Sequence, residues 1–320
     1  MKRWSTLLGL TALLVAAITG AMPARSQSLN VVIPYANGGG FDVVMRLLIP
    51  VMSERLGQSI VILNRPGAAG ALGTEAVAKA LPDGNTILFH SSTVAIAPNL
   101  RNDLPYDLDR DLTSIIMVGS SPYVLVGNPS FGAKSVQELI AKAKSAPGQV
   151  ELGTQGTGSS GHIVGELFKS VAGVDLLPVP YKGSGELIPA LMGGQVKVAF
   201  DVQSNTKTLI EGGQLMGLAV TSKVRIASMP NLPTVAESGL PNFEALIWYG
   251  MFAPKKTPPE VVKRVADAVS QALRSPALLE RFRELGINPE GATGAAFEER
   301  IKADTLKWGE VIKSAKITLE

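Results

Sequence analysis

Apolar segments of strand length alternate with helical patterns along most of this chain, an alternation typical of βαβ units and a mainly parallel sheet. Strands are predicted at residues 29–34, 59–64, 86–90, 123–126, 150–153, 177–181, 196–201, 217–221 and 243–252. Helices are predicted at residues 42–56, 71–81, 136–145, 162–171, 186–192, 206–211, 259–274 and 297–315. Pro50 lies inside the first predicted helix, where proline costs about 3 kcal/mol or kinks the axis, so this helix is expected to bend or divide.

Two long apolar segments, near residues 123 and 246, bracket the middle α/β block. Such segments are expected where a chain crosses twice between two lobes, and 320 residues exceed the roughly 100 to 200 of one domain. The predicted fold is therefore α/β with two lobes, each a mainly parallel sheet flanked by helices, and with two crossover strands. Residues 27–126 and 245–320 form the first predicted lobe, and residues 127–244 form the second.

The N-terminus has the pattern of a secretory signal peptide. Lys2 and Arg3 precede an apolar run over residues 7–18, and small residues flank Arg25 just after it. The sequence predicts a signal over residues 1–26, cleaved near Ser26. A membrane anchor would need about 20 apolar residues, and this run is interrupted earlier.

Charge and cysteine content narrow the class of protein. The chain has 30 Lys and Arg against 27 Asp and Glu, and removing three cations with the signal leaves a neutral mature protein. With no basic stripe and few aromatic residues, no nucleic-acid partner is expected. The chain has no cysteine, which excludes disulfides and a lipid-modified N-terminal thiol. We therefore expect a free protein of the periplasm.

Two glycine-rich turns follow the first two predicted strands, where ligands of open α/β sheets bind. The first, over residues 34–42, includes Gly38 and Gly39, whose backbone amides can converge on a carboxylate at a helix N-terminus. Asp42 there is either the N-cap of the helix or a ligand contact. The second turn, over residues 64–70, is either a second such site or a tight βα turn. Short hydroxyls follow the third strand at residues 91–93 and give a weaker signal.

The sharpest motif matches G-x-G-x-x-G, follows a predicted strand and opens a helix: Gly156-Thr157-Gly158-Ser159-Ser160-Gly161. A dinucleotide site would need an acidic residue about 20 positions on, where Tyr181 and Lys182 stand instead. The remaining interpretations are a small anion bound at the helix N-terminus and a simple glycine-rich helix entry.

An enzyme is the weaker alternative. Ser159 or Ser160 with His162 suggests a nucleophile and base of a secreted hydrolase, but the spacing does not require these groups to face one another, and no G-x-S-x-G elbow is present. With His90 and His162 as the only histidines and no cysteine, neither a metal nor another cofactor is expected.

Taken together, these motifs resemble the Bug family of extracytoplasmic solute receptors of tripartite tricarboxylate transporters. The resemblance covers nearly the whole mature chain and includes Pro34-Tyr35, Asp42, Arg46, Gly57-Gln58, Asn64-Arg65-Pro66-Gly67, Pro82-Asp83-Gly84, Leu104-Pro105-Tyr106-Asp107, Glu138-Leu139-Ile140-Ala141, Val179-Pro180-Tyr181-Lys182-Gly183, Gly193-Gly194-Gln195-Val196, Leu218-Ala219-Val220-Thr221, Leu232-Pro233-Thr234, Trp248 and Ala253-Pro254. It implies a type II-like periplasmic solute-binding fold. It also implies a monomer whose partners are a small carboxylate ligand and the membrane subunits of the transporter.

The resemblance also implies the ligand contacts. From the first lobe these are Tyr35, Asn37, Gly38, Gly39, Asp42, Ala69, Gly70, Ser91 and Ser92. From the second lobe they are Thr154, Gly158, Ser159, Ser160, Gly161, His162 and Asp201. Tyr35 stands where the family has Phe, and Gly40-Phe41 replace a common Pro-Thr pair, which alters the mouth of the expected pocket.

The residue patterns and the family resemblance both predict a non-catalytic receptor for a dicarboxylate or an aromatic acid. Opposed helix N-termini and backbone amides, without a dedicated arginine, are expected to meet the ligand's charge. A binding protein that only senses a carboxylate is an alternative that the sequence does not separate from a transport receptor.

Overall fold

A computed structural model describes residues 28–317, apart from residues 36, 38 and 39. The predicted signal peptide lies outside the described residues, as do the predicted contacts Gly38 and Gly39. The backbone of Ala69 is described and its side chain is not.

The strands of the described chain follow the predicted alternation with helices. They are β1 (Leu29–Ile33), β2 (Ile60–Asn64), β3 (Thr86–Ser91), β4 (Leu112–Gly127), β5 (Glu151–Thr154), β6 (Leu177–Pro180), β7 (Val198–Val202), β8 (Met216–Val220), β9 (Leu246–Pro254) and β10 (Asn288–Pro289).

The helices between them have the following bounds. They are α1 (Gly40–Leu56), α2 (Ala71–Ala78), α3 (Thr93–Leu100), α4 (Leu108–Asp111), α5 (Val136–Ser145), α6 (Ser160–Ala172), α7 (Ser184–Met192), α8 (Gln203–Glu211), α9 (Pro259–Ala272), α10 (Pro276–Leu285) and α11 (Ala295–Ala315). Short 3₁₀ turns at Ala68–Gly70 and Pro129–Phe131 complete the set.

Each lobe has a mixed sheet built on a parallel unit. In the first lobe β1 lies between β2 and β3 and runs parallel to both. Strand β9 lies between β3 and β4 and runs antiparallel to both. In the second lobe β5 lies between β6 and β7, parallel to both, and β7 and β8 run antiparallel to β4. The predicted α/β fold with two lobes is confirmed, and its antiparallel pairs come from the strands that cross between them.

Strand β4 belongs to both sheets. Its residues from Leu112 to Pro122 pair with β9 in the first lobe, and those from Tyr123 to Gly127 pair with β7 and β8 in the second. The strand is buried along almost its whole length. One continuous strand therefore links the two cores.

Several elements differ from the sequence prediction. The strand predicted at residues 123–126 begins eleven residues earlier, and α3, α4, α10 and β10 were not predicted. Helix α1 is undivided at Pro50, and the ring there is exposed. An exposed proline in a helix loses one backbone hydrogen bond, whereas the buried face of α1 gains contacts with the core.

The C-terminal helix α11 packs against both cores. Near its start, Phe297 and Ile301 lie in a cluster with Trp248 of β9. Near its end, Trp308 and Ile312 lie in the core beneath the second sheet. The indole N–H of Trp248 also donates to Asp304 over 2.6 Å, so α11 is attached to the crossover strand midway along its length.

Among the helices of the described chain, none combines the length and apolar character required to span a bilayer.

Candidate ligand-binding site

A cavity of about 290 Å³ lies between the two lobes. The first lobe supplies Tyr35, the start of α2 and one face of α3, and the second lobe supplies residues 155 and 157–160. Another cavity, of about 260 Å³, lies beside α11 and is lined by first-lobe residues alone, among them Leu112 and Glu298. The cavity between the lobes is the candidate site because it is where closure can bury a ligand from both sides.

The Tyr35 hydroxyl is the centre of a hydrogen-bond cluster in the first lobe. It lies 2.7 Å from Thr93 Oγ1 and 2.9 Å from Ser91 Oγ, and those two hydroxyls lie 2.7 Å from each other. Asn64 Nδ2 donates to the Tyr35 backbone oxygen over 3.1 Å, which holds the turn after β1 against the end of β2. Burial raises the pKa of Tyr35, so the phenol remains a protonated donor at neutral pH.

Phe41 supports the ring of Tyr35. The two rings stack with centroids 4.3 Å apart, and Phe41 also meets Tyr249 of β9 in a T-shaped contact with centroids 5.2 Å apart. Tyr35 and Phe41, two of the positions that the sequence analysis singled out as departures from the family pattern, are therefore in direct contact.

His90 lies beneath this cluster as a neutral residue. Its Nδ1 accepts the Ser91 backbone N–H over 2.7 Å, which places the proton of the neutral ring on Nε2. Burial lowers the pKa of His90 to about 3. A Cβ on Gly70 would lie 3.0 Å from Nε2, so glycine at that position, with φ of 96°, gives the ring its space.

The N-terminus of α6 forms the second-lobe wall of the cavity. Ser159 is the N-cap, and its hydroxyl accepts the backbone N–H of His162 over 3.3 Å. Gly158, with φ of 73°, donates its N–H to His162 Nδ1 over 3.0 Å. Burial lowers the pKa of His162, so a neutral ring braces the glycine turn that precedes the helix.

This geometry does not assemble the Ser/His pair of the hydrolase alternative. His162 Nδ1 is taken by the Gly158 amide, and Nε2 faces Glu166 Oε1 at 3.8 Å. The hydroxyl of Ser160 is hydrogen-bonded to the Tyr123 side chain, and that of Ser159 caps the helix. Neither serine hydroxyl is hydrogen-bonded to the imidazole that would have to take its proton.

Gln155 closes the floor between β5 and β7. Its Nε2 donates to the Phe200 backbone oxygen over 2.8 Å, while its Oε1 is buried and has no hydrogen-bond partner among the described residues. The same amide packs on the Cα of Gly161, where a side chain would collide with it.

Asp201 lies at the end of β7 and presents a second unpartnered oxygen. Its Oδ1 accepts from the Val202 backbone over 2.7 Å and from Asn205 over 2.9 Å. Its Oδ2 is buried without a partner in the described structure.

The structure places the predicted contacts in three groups. Those that line the cavity are Tyr35, Gly158, Ser159 and Ser160. Seven others are buried and lie behind the lining: Gly70, Ser91, Ser92, Thr154, Gly161, His162 and Asp201. Asn37 is exposed in the turn after β1.

The predicted N-cap at Asp42 is wrong. Helix α1 begins at Gly40, so Asp42 is its third residue, within the first turn. Its buried carboxylate pairs with Arg46 one turn later, with Nε and Oδ2 2.7 Å apart. A carboxylate in the first turn still interacts favourably with the helix dipole.

The sequence prediction missed the α3 side of the cavity. Lining residues there are Thr93, Ile96, Ala97, Leu100, Arg101 and Leu104. The spacing of three and four residues from Thr93 to Leu100 is the signature of one helix face, but the sequence prediction assigned no element to this segment. Arg101, which the sequence prediction did not name, also lines the cavity.

The chain has two α/β lobes joined by crossover strands, and both lobes line the cavity between them. This is the architecture of a solute-binding protein. A family model described as the tripartite tricarboxylate transporter family receptor matches residues 44–317. The chain therefore belongs to this family, whose members include the Bug receptors.

Solved structures agree with this assignment. The periplasmic binding protein BugD is 34% identical, with a TM-score of 0.81 over 93% of this chain and 100% of its own. An R. palustris protein solved with adipate is 34% identical, with a TM-score of 0.83 over the same shares of both chains. MatC from Rhodopseudomonas palustris, with bound malate, is 30% identical, with a TM-score of 0.78 over 89% of this chain and 98% of that one.

Proposed function

We propose that this chain is exported to the periplasm, captures a small carboxylate between its lobes and delivers it to the membrane subunits of a tripartite tricarboxylate transporter. In this proposal residues 1–26 are removed as a signal, residues 27–126 and 245–320 form one lobe, and residues 127–244 form the other. The mature protein acts as a monomer without a cofactor.

One observation carries the proposal. The N-terminus of α6, a helix of 13 residues, opens on the cavity through Gly158, Ser159 and Ser160. A helix of this length carries about half a positive charge at its start, which suits a carboxylate. The adipate and malate in the two related structures are both carboxylates.

The proposal is tested with purified protein lacking residues 1–26. Thermal shift and calorimetry are run with aliphatic dicarboxylates, aromatic acids, neutral sugars and amines. A ligand present at 100 times its Kd should add about 2.7 kcal/mol to the free energy of unfolding. Stabilisation by sugars or amines, with none by any carboxylate, would contradict carboxylate capture.

The contribution of α6 is tested with Gly158→Ala. The φ of 73° at Gly158 makes alanine cost about 1 to 2 kcal/mol of stability and shifts the amides at the helix start. Gly173→Ala is the matched control because Gly173 has φ of 61° at the other end of the same helix. Both variants should lose stability, but carboxylate affinity should fall about tenfold or more only in Gly158→Ala. Equal affinities in the two variants would remove this turn from the site.

A receptor that only senses a carboxylate shares every feature of this cavity. Uptake of labelled ligand by cells with and without the gene separates the two functions. Loss of uptake on deletion supports delivery, whereas unchanged uptake with an altered transcriptional response to the ligand supports sensing.

A further inference from the structure

One face of α3 runs the length of the cavity. Its lining residues recur from Thr93 through Ile96, Ala97 and Leu100 to Arg101. At 1.5 Å per residue, the seven-residue step from Thr93 to Leu100 covers about 10 Å along the helix axis, and Arg101 follows as the C-cap of the helix. The cavity is therefore elongated along α3, with a hydroxyl at one end, aliphatic side chains in the middle and a guanidinium at the other end.

The Tyr35 hydroxyl stands at the Thr93 end of this cavity. Tyr35 donates to Thr93 or accepts from it over 2.7 Å. The start of α6 lines the same cavity through Gly158, Ser159 and Ser160. The proposed first carboxylate would be held beside Tyr35, at the opposite end of α3 from Arg101.

Arg101 is the one charged side chain among the described residues that line this cavity. Asp103 fixes its guanidinium with two contacts of 2.9 Å, to Nε and Nη2. That pairing uses two of the five N–H donors of a guanidinium and leaves three. The Arg101 side chain is 25% exposed, whereas Asp103 is 73% exposed. The acid therefore faces solvent on the outer side of the arginine.

We propose that Arg101 binds a second anionic group, so that this receptor selects extended diacids whose apolar middle lies against Ile96, Ala97 and Leu100. This inference rests on the proposed carboxylate capture and specifies its ligand class. A short diacid held beside Tyr35 would reach neither the aliphatic stretch nor the three remaining N–H donors of Arg101. A monoacid as long as an extended diacid would fill the stretch but offer those donors no anion.

The test compares linear diacids of four to eight carbons with monoacids of equal length, by calorimetry at fixed salt. Longer diacids should bind roughly 10- to 100-fold more tightly than their monoacids, the range expected of a hydrogen bond to a charged group. Arg101→Gln should abolish that ratio while changing monoacid affinity less than threefold. Arg101→Lys keeps the charge but not the bidentate geometry, so it should retain part of the preference for diacids over monoacids.

Arg110→Gln is the matched control, because Arg110 forms the same bidentate pair with Asp111, is exposed and does not line the cavity. It should leave both affinities unchanged. If the wild type binds carboxylates and Arg101→Gln keeps the wild-type ratio of diacid to monoacid affinity, the Arg101 inference is wrong and carboxylate capture stands. If the wild type binds no carboxylate, both proposals fail.

Discussion

The hydroxyl of Tyr35 lies 2.7 Å from that of Thr93, and this contact ties the turn after β1 to the first residue of α3. Two walls of the cavity, which the chain reaches 58 residues apart, are thereby held at a fixed distance.

Tyr35→Phe removes this contact. The Phe41 stacking should survive, while the lost hydrogen bonds lower the free energy of unfolding by about 1 to 2 kcal/mol. Chemical denaturation measures the change. Tyr249→Phe is the control, since Tyr249 packs in the same aromatic cluster and the described structure gives its hydroxyl no hydrogen bond. An equal loss in both variants would show that the Tyr35 hydroxyl contributes nothing specific.

His90 predicts how stability depends on pH. Its pKa is lowered from 6.5 to about 3 in the folded protein, so the unfolded chain binds the proton more readily. The stability that His90 contributes is complete above pH 6.5 and is lost as the pH falls towards 3, at up to about 1.4 kcal/mol per pH unit.

His90→Asn should reduce the fall in melting temperature between pH 7 and 5, because the Asn Oδ1 can accept from the Ser91 amide and does not titrate. The window lies above the ordinary pKa values of carboxylates, so their titration contributes little. His162→Asn is measured beside it, since the pKa of His162 is lowered too. A pH profile unchanged in His90→Asn would mean that His90 is not buried in its neutral form.

Asp304→Ala should strongly destabilise the protein. Asp304 is 6% exposed and accepts from both the Trp248 indole and Arg300, so alanine leaves a buried donor without its partner. A loss of about 3 kcal/mol in the free energy of unfolding is expected. Asp267→Ala breaks the exposed pair with Lys263 and should cost less than 1 kcal/mol. Comparable losses in the two variants would contradict the attachment of α11 to β9.

Gly161→Ala should disturb the cavity floor. A Cβ at that position collides with the Gln155 amide and lies 2.9 Å from the Phe200 backbone oxygen. Overpacking of this kind costs about 1 to 3 kcal/mol. Because Gln155 lines the cavity, carboxylate affinity should fall along with the melting temperature. A variant with lower stability and unchanged affinity would make Gln155 a structural residue only.

The sequence predicts those parts of the site that depend on local chemistry. The glycine-rich run before α6 indicates a helix start, and the helix begins at Ser160, two residues before the predicted position. Tyr35 follows β1, a strand that the apolar run at residues 29–34 predicts, and its side chain lines the cavity.

The parts that were missed depend on tertiary pairing. Residues 112–122 include Gly119, Ser120, Ser121 and Pro122, which do not favour a strand by themselves. They are held in β4 because β9 pairs along this stretch, and β10 also pairs at Gly119 and Ser120. Arg101 could not be assigned to the cavity until α3 was recognised as a helix.

The continuity of β4 limits how the lobes can move and fold. An opening motion must twist the β4 backbone near Pro122 and Tyr123, where its partners change from β9 to β7 and β8. Neither sheet is complete without its half of this strand. A fragment cut there would expose unpaired edge N–H and C=O groups, a template for aggregation. The two lobes should consequently melt in one cooperative transition, and their backbone amides in β4 should be among the last to exchange with solvent.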